Sequence, residues 1–115
     1  MQNIQKSRSD YLKVDLDLHS MSKWEAMYQC LKTLAYSSTY FHLTTHGVHI
    51  CIPELPNDYT LRLMFGDDQN RIHMDMVREK LCYPTNVLFI AKNRKRVKTT
   101  RNIDEVIEWI KSLSL

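Results

Sequence analysis

The sequence predicts an α+β domain: a mixed, mainly antiparallel sheet packed with three helices, in the order β-α-β-β-β-α-β-β-α. Three observations lead there. Residues 11–18 alternate between apolar and polar side chains over eight positions, the period of a half-buried strand. Two other segments, starting at Ser22 and Asn102, repeat apolar residues at helical spacing behind capping residues, as amphipathic helices do. Between the helices the strands come as hairpins, which join antiparallel neighbours. With 115 residues the chain forms one domain that can bury a single core without disulfides or metals. Only two glycines and three prolines argue against a loop-dominated chain.

Residues 1–9 are polar and aperiodic and read as a flexible N-terminal tail, leaving 10–115 as the domain. In the first strand Leu12, Val14, Leu16 and Leu18 face one side, with Lys13, Asp15, Asp17 and His19 on the other. Ser22 and Glu25 form a capping box. Behind it Trp24, Met27, Tyr28, Leu31, Leu34 and Ala35 mark the first helix, which runs to Tyr36. Residues 39–52 read as a hairpin turning at His46-Gly47, the glycine supplying a positive φ. That turn sets Thr45 against Val48, Leu43 against Ile50 and Phe41 against Ile52. Tyr40, His42, Thr44, His49 and Cys51 then lie on the opposite side.

Tyr59, Leu61, Leu63 and Phe65 alternate with Thr60, Arg62 and Met64, predicting a further strand after the Pro53–Asp58 link. Asp67 and Asp68 serve as N-cap carboxylates for a helix over 69–82. That helix has two apolar faces, Met74, Val77 and Leu81 on one and Ile72 and Met76 nearly opposite. Pro84 closes it. Residues 87–91 are apolar throughout, as a central strand should be, and 92–100 turn and return as a short strand through Val97. Asn102, Asp104 and Glu105 open the last helix, whose stripe is Ile103, Val106, Ile107, Ile110 and Leu113.

The functional reading starts from charge. Lys92, Arg94, Lys95, Arg96, Lys98 and Arg101 are six cations within ten residues, and residues 86–101 contain no acid. Without those six, the remaining 10 basic residues are outnumbered by 13 acids, so this run carries the whole positive excess. Such a patch on a near-neutral body is the footprint of a surface that meets phosphates. Three of the six are arginines, whose forked guanidinium matches a phosphate better than an ammonium does; Asn93, Thr99 and Thr100 add neutral donors. No aromatic interrupts the run, so backbone contact with DNA or RNA is expected rather than base stacking. The expected function is that of a small intracellular nucleic-acid-binding module. The alternative is an interaction or assembly protein whose basic hairpin binds an acidic partner or keeps a sheet edge soluble.

Other constellations are weaker. Ile72, Met76 and Met64 are candidates for a homodimer patch. His42, His49 and Cys51 could supply three zinc ligands, but no recognised zinc spacing accompanies them and no metal or other cofactor is expected. A nuclease site would need an acid two residues before Lys92, where Ile90 stands. No nucleophile, phosphate-loop or dinucleotide motif occurs, so no enzymatic activity and no small-molecule substrate is expected. The three cysteines are widely spaced and read as free, buried thiols. No run approaches the roughly 18 apolar residues of a membrane span, and the N-terminus lacks a signal-peptide core; a cytoplasmic protein is expected.

Overall fold

The computed structural model of the chain describes residues 11–86, 91–92, 95–96 and 98–114, with side chains at all of these except 91, 92, 95 and 96. In order the elements are β1 (Tyr11–Asp17), α1 (Lys23–Lys32) with a 3-10 turn (Thr33–Ala35), β2 (Tyr40–Thr44), β3 (Gly47–Pro56), α2 (Tyr59–Met64), α3 (Gln69–Lys80), β4 (Ala91–Lys92), β5 (Lys95–Arg96), β6 (Lys98–Thr100) and α4 (Ile103–Ser112). The α+β class is as the sequence predicts. The main sheet is antiparallel in the order β1-β3-β2-β6, and β4 pairs separately with β5.

One face of that sheet forms the core. Leu12, Val14 and Leu16 of β1 lie opposite Ile52, Ile50 and Val48 of β3, and Phe41 and Leu43 of β2 extend the layer. Helices α1 and α4 cover it with Ala26, Met27, Cys30, Val106 and Ile110. The N-caps form: Ser22 accepts from the Glu25 amide, and Asn102 accepts from those of Asp104 and Glu105, while the Glu25 carboxylate accepts from Gln29 Nε2 rather than completing the capping box. Trp109 then pins α4 to the β2–β3 hairpin, its indole N–H donating to the carbonyls of Thr44 and Gly47, 3.0 Å from each.

The structure corrects four sequence expectations. First, the hairpin register is two residues away. Phe41 pairs with Ile50, His42 with His49 and Tyr40 with Cys51, so Thr45-His46 forms the turn. A slip of two preserves the faces, because side chains repeat every second residue. Gly47 is needed for space: a Cβ there would sit 1.8 Å from the Leu16 carbonyl oxygen.

Second, residues 59–64 are helical. The Asp58 carboxylate caps α2 by accepting from the Thr60 amide. Leu61 and Phe65, four apart, turn to the core, while Leu63 and Met64 stay exposed. Seven residues are too few to separate a period of two from one of 3.6.

Third, α3 buries Ile72 and Asp75 and exposes Met74, Met76 and Val77; Leu81, just past its end, is exposed too. A buried charge sets this rotation. Arg62 is fully buried, with Nε donating to Asp67 at 2.6 Å and Nη2 2.9 Å from the Asp75 carboxylate. Asp67, predicted as a cap, is instead a hub: it also accepts from Arg71 and from the Asp15 amide on the outer edge of β1. Asp68 is the cap, accepting from the Asn70 amide. The rotation sets Asp75 rather than a methionine stripe against the buried guanidinium, whose Nη1 and Nη2 have no hydrogen-bond partner among the described residues.

Fourth, α1 turns Ala26, Met27, Gln29 and Cys30 inward and leaves Trp24, Tyr28, Leu31 and Leu34 of its predicted stripe exposed. In the sheet, β3 is an inner strand, buried on both faces from Gly47 to Ile52. Of the predicted central strand only Ala91 is described, and it pairs with Arg96 in the small hairpin; residues 87–90, like the tail 1–9, lie outside the described residues. Cys30 and Cys51 are buried free thiols, whereas Cys82 is exposed.

Candidate nucleic-acid interface

The face of the main sheet turned away from α1 and α4 is polar. Its side chains come from alternate positions of four strands: Tyr11, Lys13, Asp15 and Asp17 of β1, His49 and Cys51 of β3, Tyr40, His42 and Thr44 of β2, and Thr99 of β6. Tyr11 and Tyr40 reach towards each other over β3, and their hydroxyls meet at 2.5 Å. Cys51 lies opposite both Lys13 and Tyr40 and is only 2% exposed. Burial pushes its thiol up to about 11, against the pull of a Tyr40 hydrogen bond and of Lys13 and Arg71. Such a thiol is not an activated nucleophile. Burial and the bond to Tyr11 likewise raise the Tyr40 phenol.

Two cations stack on this aromatic pair. The Lys13 ammonium lies 5.0 Å from the centre of the Tyr11 ring, and the Arg101 guanidinium 5.9 Å from that of Tyr40, both within the range of cation–π attraction. The His42 ring packs edge-on to Tyr40, 5.5 Å away, and its Nδ1 is hydrogen-bonded to the Thr99 hydroxyl at 2.8 Å. The sheet thus joins aromatic and basic groups that are far apart along the chain.

Beside them lies a titratable row. His49 sits opposite both Asp15 and His42, with Nε2 3.5 Å from the Asp15 carboxylate. An ion pair would raise the imidazole and lower the acid, but burial acts the other way on both and prevails. His49 is held down at about 4 by burial, then by His42 and Arg71. Asp15 is pushed up to about 6 by burial, which Arg71 only partly offsets. His42 is lowered by burial and by Lys13.

Of the predicted basic residues, Lys92, Lys95 and Arg96 are in the β4–β5 hairpin, where Lys92 pairs with Lys95; Arg94 lies outside the described residues. Lys98 is in β6 and forms an ion pair with Glu105 of α4, which depresses the Glu105 carboxyl. Arg101 is exposed just beyond β6. Thr99 is exposed and Thr100 half-buried.

The other candidate groups do not assemble as read. His42, His49 and Cys51 share a face but do not converge: among the described residues no three His, Cys, Asp or Glu side chains are grouped to hold a metal ion. Ile72 is 4% exposed and so packs inside the fold, while Met64 and Met76 are exposed.

Tyr11, Lys13 and Tyr40 are the residues that sequence reasoning did not assign to the site. Their signal was the strand alternation, which puts Tyr40 and His42 on the polar side. Compared with known proteins, the chain matches no family model, no curated protein and no solved structure. No helix among the described residues is long and apolar enough to cross a membrane.

Proposed function

We propose that the protein is a nucleic-acid-binding module that engages single-stranded RNA or DNA on the polar face of its sheet. In this reading Lys92, Arg94, Lys95, Arg96 and Arg101 contact phosphates, and Tyr40 and Tyr11 offer ring surfaces to bases or sugars. Lys98 is already compensated by Glu105 and contributes less. The observation that carries the reading is the stacking of Arg101 on Tyr40, which brings the end of the basic run onto an aromatic sheet face. Single-strand binders combine a cationic track with stacking platforms in this way, each stacked base contributing about 1–3 kcal/mol. Double-stranded DNA offers no free base faces, so it is expected to bind more weakly.

The test is a titration of the protein with single-stranded RNA, single-stranded DNA and duplex DNA at about 50 and about 200 mM salt, a range over which phosphate-driven binding weakens steeply. Single strands are expected to bind best, and Tyr40→Ala to weaken them by about 5- to 150-fold, the equivalent of one lost stacking contact. Absence of binding to all three at the lower salt defeats the proposal. Equal loss on duplex and single strands in Tyr40→Ala would instead remove the stacking role.

A further inference from the structure

Helix α1 leaves a large apolar stripe uncovered. It turns Ala26, Met27, Gln29 and Cys30 into the protein, yet Trp24 is 80% exposed, Tyr28 58% and Leu31 48%, and Leu34 in the following turn is 62% exposed. Positions 24, 28 and 31 follow the four- and three-residue steps of one helix face. Soluble monomers rarely expose a contiguous apolar patch of this kind, and a rim of polar groups around one marks an interaction surface.

The rim indicates which partner fits. Glu25 and Lys32 lie seven residues apart, two turns along the same face, one near each end of the stripe. Lys32 is held in place. Its ammonium donates to the Met64 carbonyl at 2.7 Å and lies 5.4 Å from the Tyr28 ring and 4.9 Å from the Phe65 ring. It therefore joins the stripe to the exposed Leu63 and Met64 at the end of α2. An acid at one end and a base at the other make the face complementary to itself run backwards. Antiparallel pairing about a twofold axis near Tyr28 sets Glu25 of each copy against Lys32 of the other, while Trp24 meets the apolar turn around Leu31. A partner helix of uniform charge would satisfy one end and repel the other.

We propose that α1 is the twofold interface of a homodimer, with Trp24, Tyr28 and Leu31 as its apolar centre and reciprocal Glu25–Lys32 ion pairs at its ends. This does not rest on nucleic-acid binding. The polar sheet face points away from α1, so the dimer does not cover it.

Sedimentation equilibrium over a wide range of protein concentration tests it. The wild-type chain is expected to approach twice its 13.7 kDa mass. Trp24→Ala combined with Leu31→Glu should raise the dimer dissociation constant about 30-fold or more, the effect of losing a central anchor. Because these side chains are exposed, the variant should keep the circular dichroism spectrum and melting temperature of a folded monomer. The decisive comparison is charge exchange: E25K alone should weaken the dimer, and E25K with K32E should restore it. A monomeric wild type at the highest concentration overturns the proposal. So does a dimer that survives Trp24→Ala/Leu31→Glu, or one that Met76→Glu on α3 dissolves while the α1 variant does not.

Discussion

Asp15 and His49 show how much a single position can be governed by its neighbours. They face each other across β1 and β3, yet burial favours the uncharged form of both. The consequences for stability have opposite signs. Asp15 titrates near 3.8 when unfolded and near 6 when folded, so between these values the folded chain holds more protons and stability is lost as pH rises. His49 titrates near 6.5 unfolded and near 4 folded, so its stability is present above 6.5 and is lost as pH falls towards 4. Thermal melts across this range should separate the two. Wild type should lose ground to Asp15→Asn on going from pH 4 to pH 7, and to His49→Gln on going from pH 7 to pH 4. A wild-type-to-variant difference that stays constant with pH in either case would show that the side chain is solvated alike in both states.

At the scale of elements, the α2–α3 unit is organised by charge. Arg62, on a helix of six residues, brings together Asp67 from the connecting turn and Asp75 from α3. Asp75 in turn accepts from the Asn86 amide, and Asn86 Nδ2 donates to Asn57 at 2.8 Å, tying the far end of the segment back to the start of α2. Breaking a buried pair from one side leaves an uncompensated charge, at a cost of about 3–5 kcal/mol. Without Arg62, Asp67 keeps Arg71 and Asp75 keeps Arg78, so Arg62→Ala is expected to destabilise the domain by about 3 kcal/mol, the lower end of that range, in urea-unfolding measurements. Arg62→Met with Asp75→Asn should recover part of the loss, because Asp67 keeps Arg71 as its partner and no buried charge is then left alone. A change below about 1 kcal/mol in Arg62→Ala would mean that the guanidinium is solvated and that the ion pairs are surface pairs of little weight. The same network explains why α3 shows its methionines to solvent, a choice that its own periodicity does not reveal.

Across the whole molecule the two sides of the sheet divide the work. One side is closed by α1 and α4 over the aliphatic core, and the other carries the tyrosines, histidines and stacked cations. The net charge of +3 is small, so the proposed attraction to nucleic acid would depend on where the cations are rather than on how many there are. Replacing Arg94, Lys95 and Arg96 together by Ala should remove most of the binding. It should also flatten the dependence of log affinity on log salt by about 2, since each phosphate contact to a single strand contributes a slope of about 0.7. The melting temperature should barely move, because cations used for phosphate contacts contribute little to folding. An unchanged salt slope in this triple variant would show that the run does not contact phosphates.

The sequence by itself determined the α+β class, the β1 strand, the N-caps of α1 and α4, the core stripe of α4, and the two faces of the β2–β3 hairpin, but not the buried face of α1, which is Ala26, Met27, Gln29 and Cys30 rather than the predicted stripe. Each of the features it determined rests on local patterning: alternation is a property of a strand, and an Asn or Ser before an apolar stripe is a property of a helix start. It also located the basic run, since charge density is read directly from composition. Tertiary structure decided the rest. The hairpin register depends on the space that β1 leaves at Gly47, the helical state of 59–64 on a charge that must be buried, and the orientation of α3 on where that charge finds its acids. The proposed interface, too, would be a product of pairing between strands: Tyr11 and Tyr40 meet because β1 and β2 both pair with β3, and Arg101 reaches Tyr40 because β6 pairs with β2. Patterns of period 2 and 3.6 report which face a side chain takes, whereas which groups share that face is set by long-range pairing.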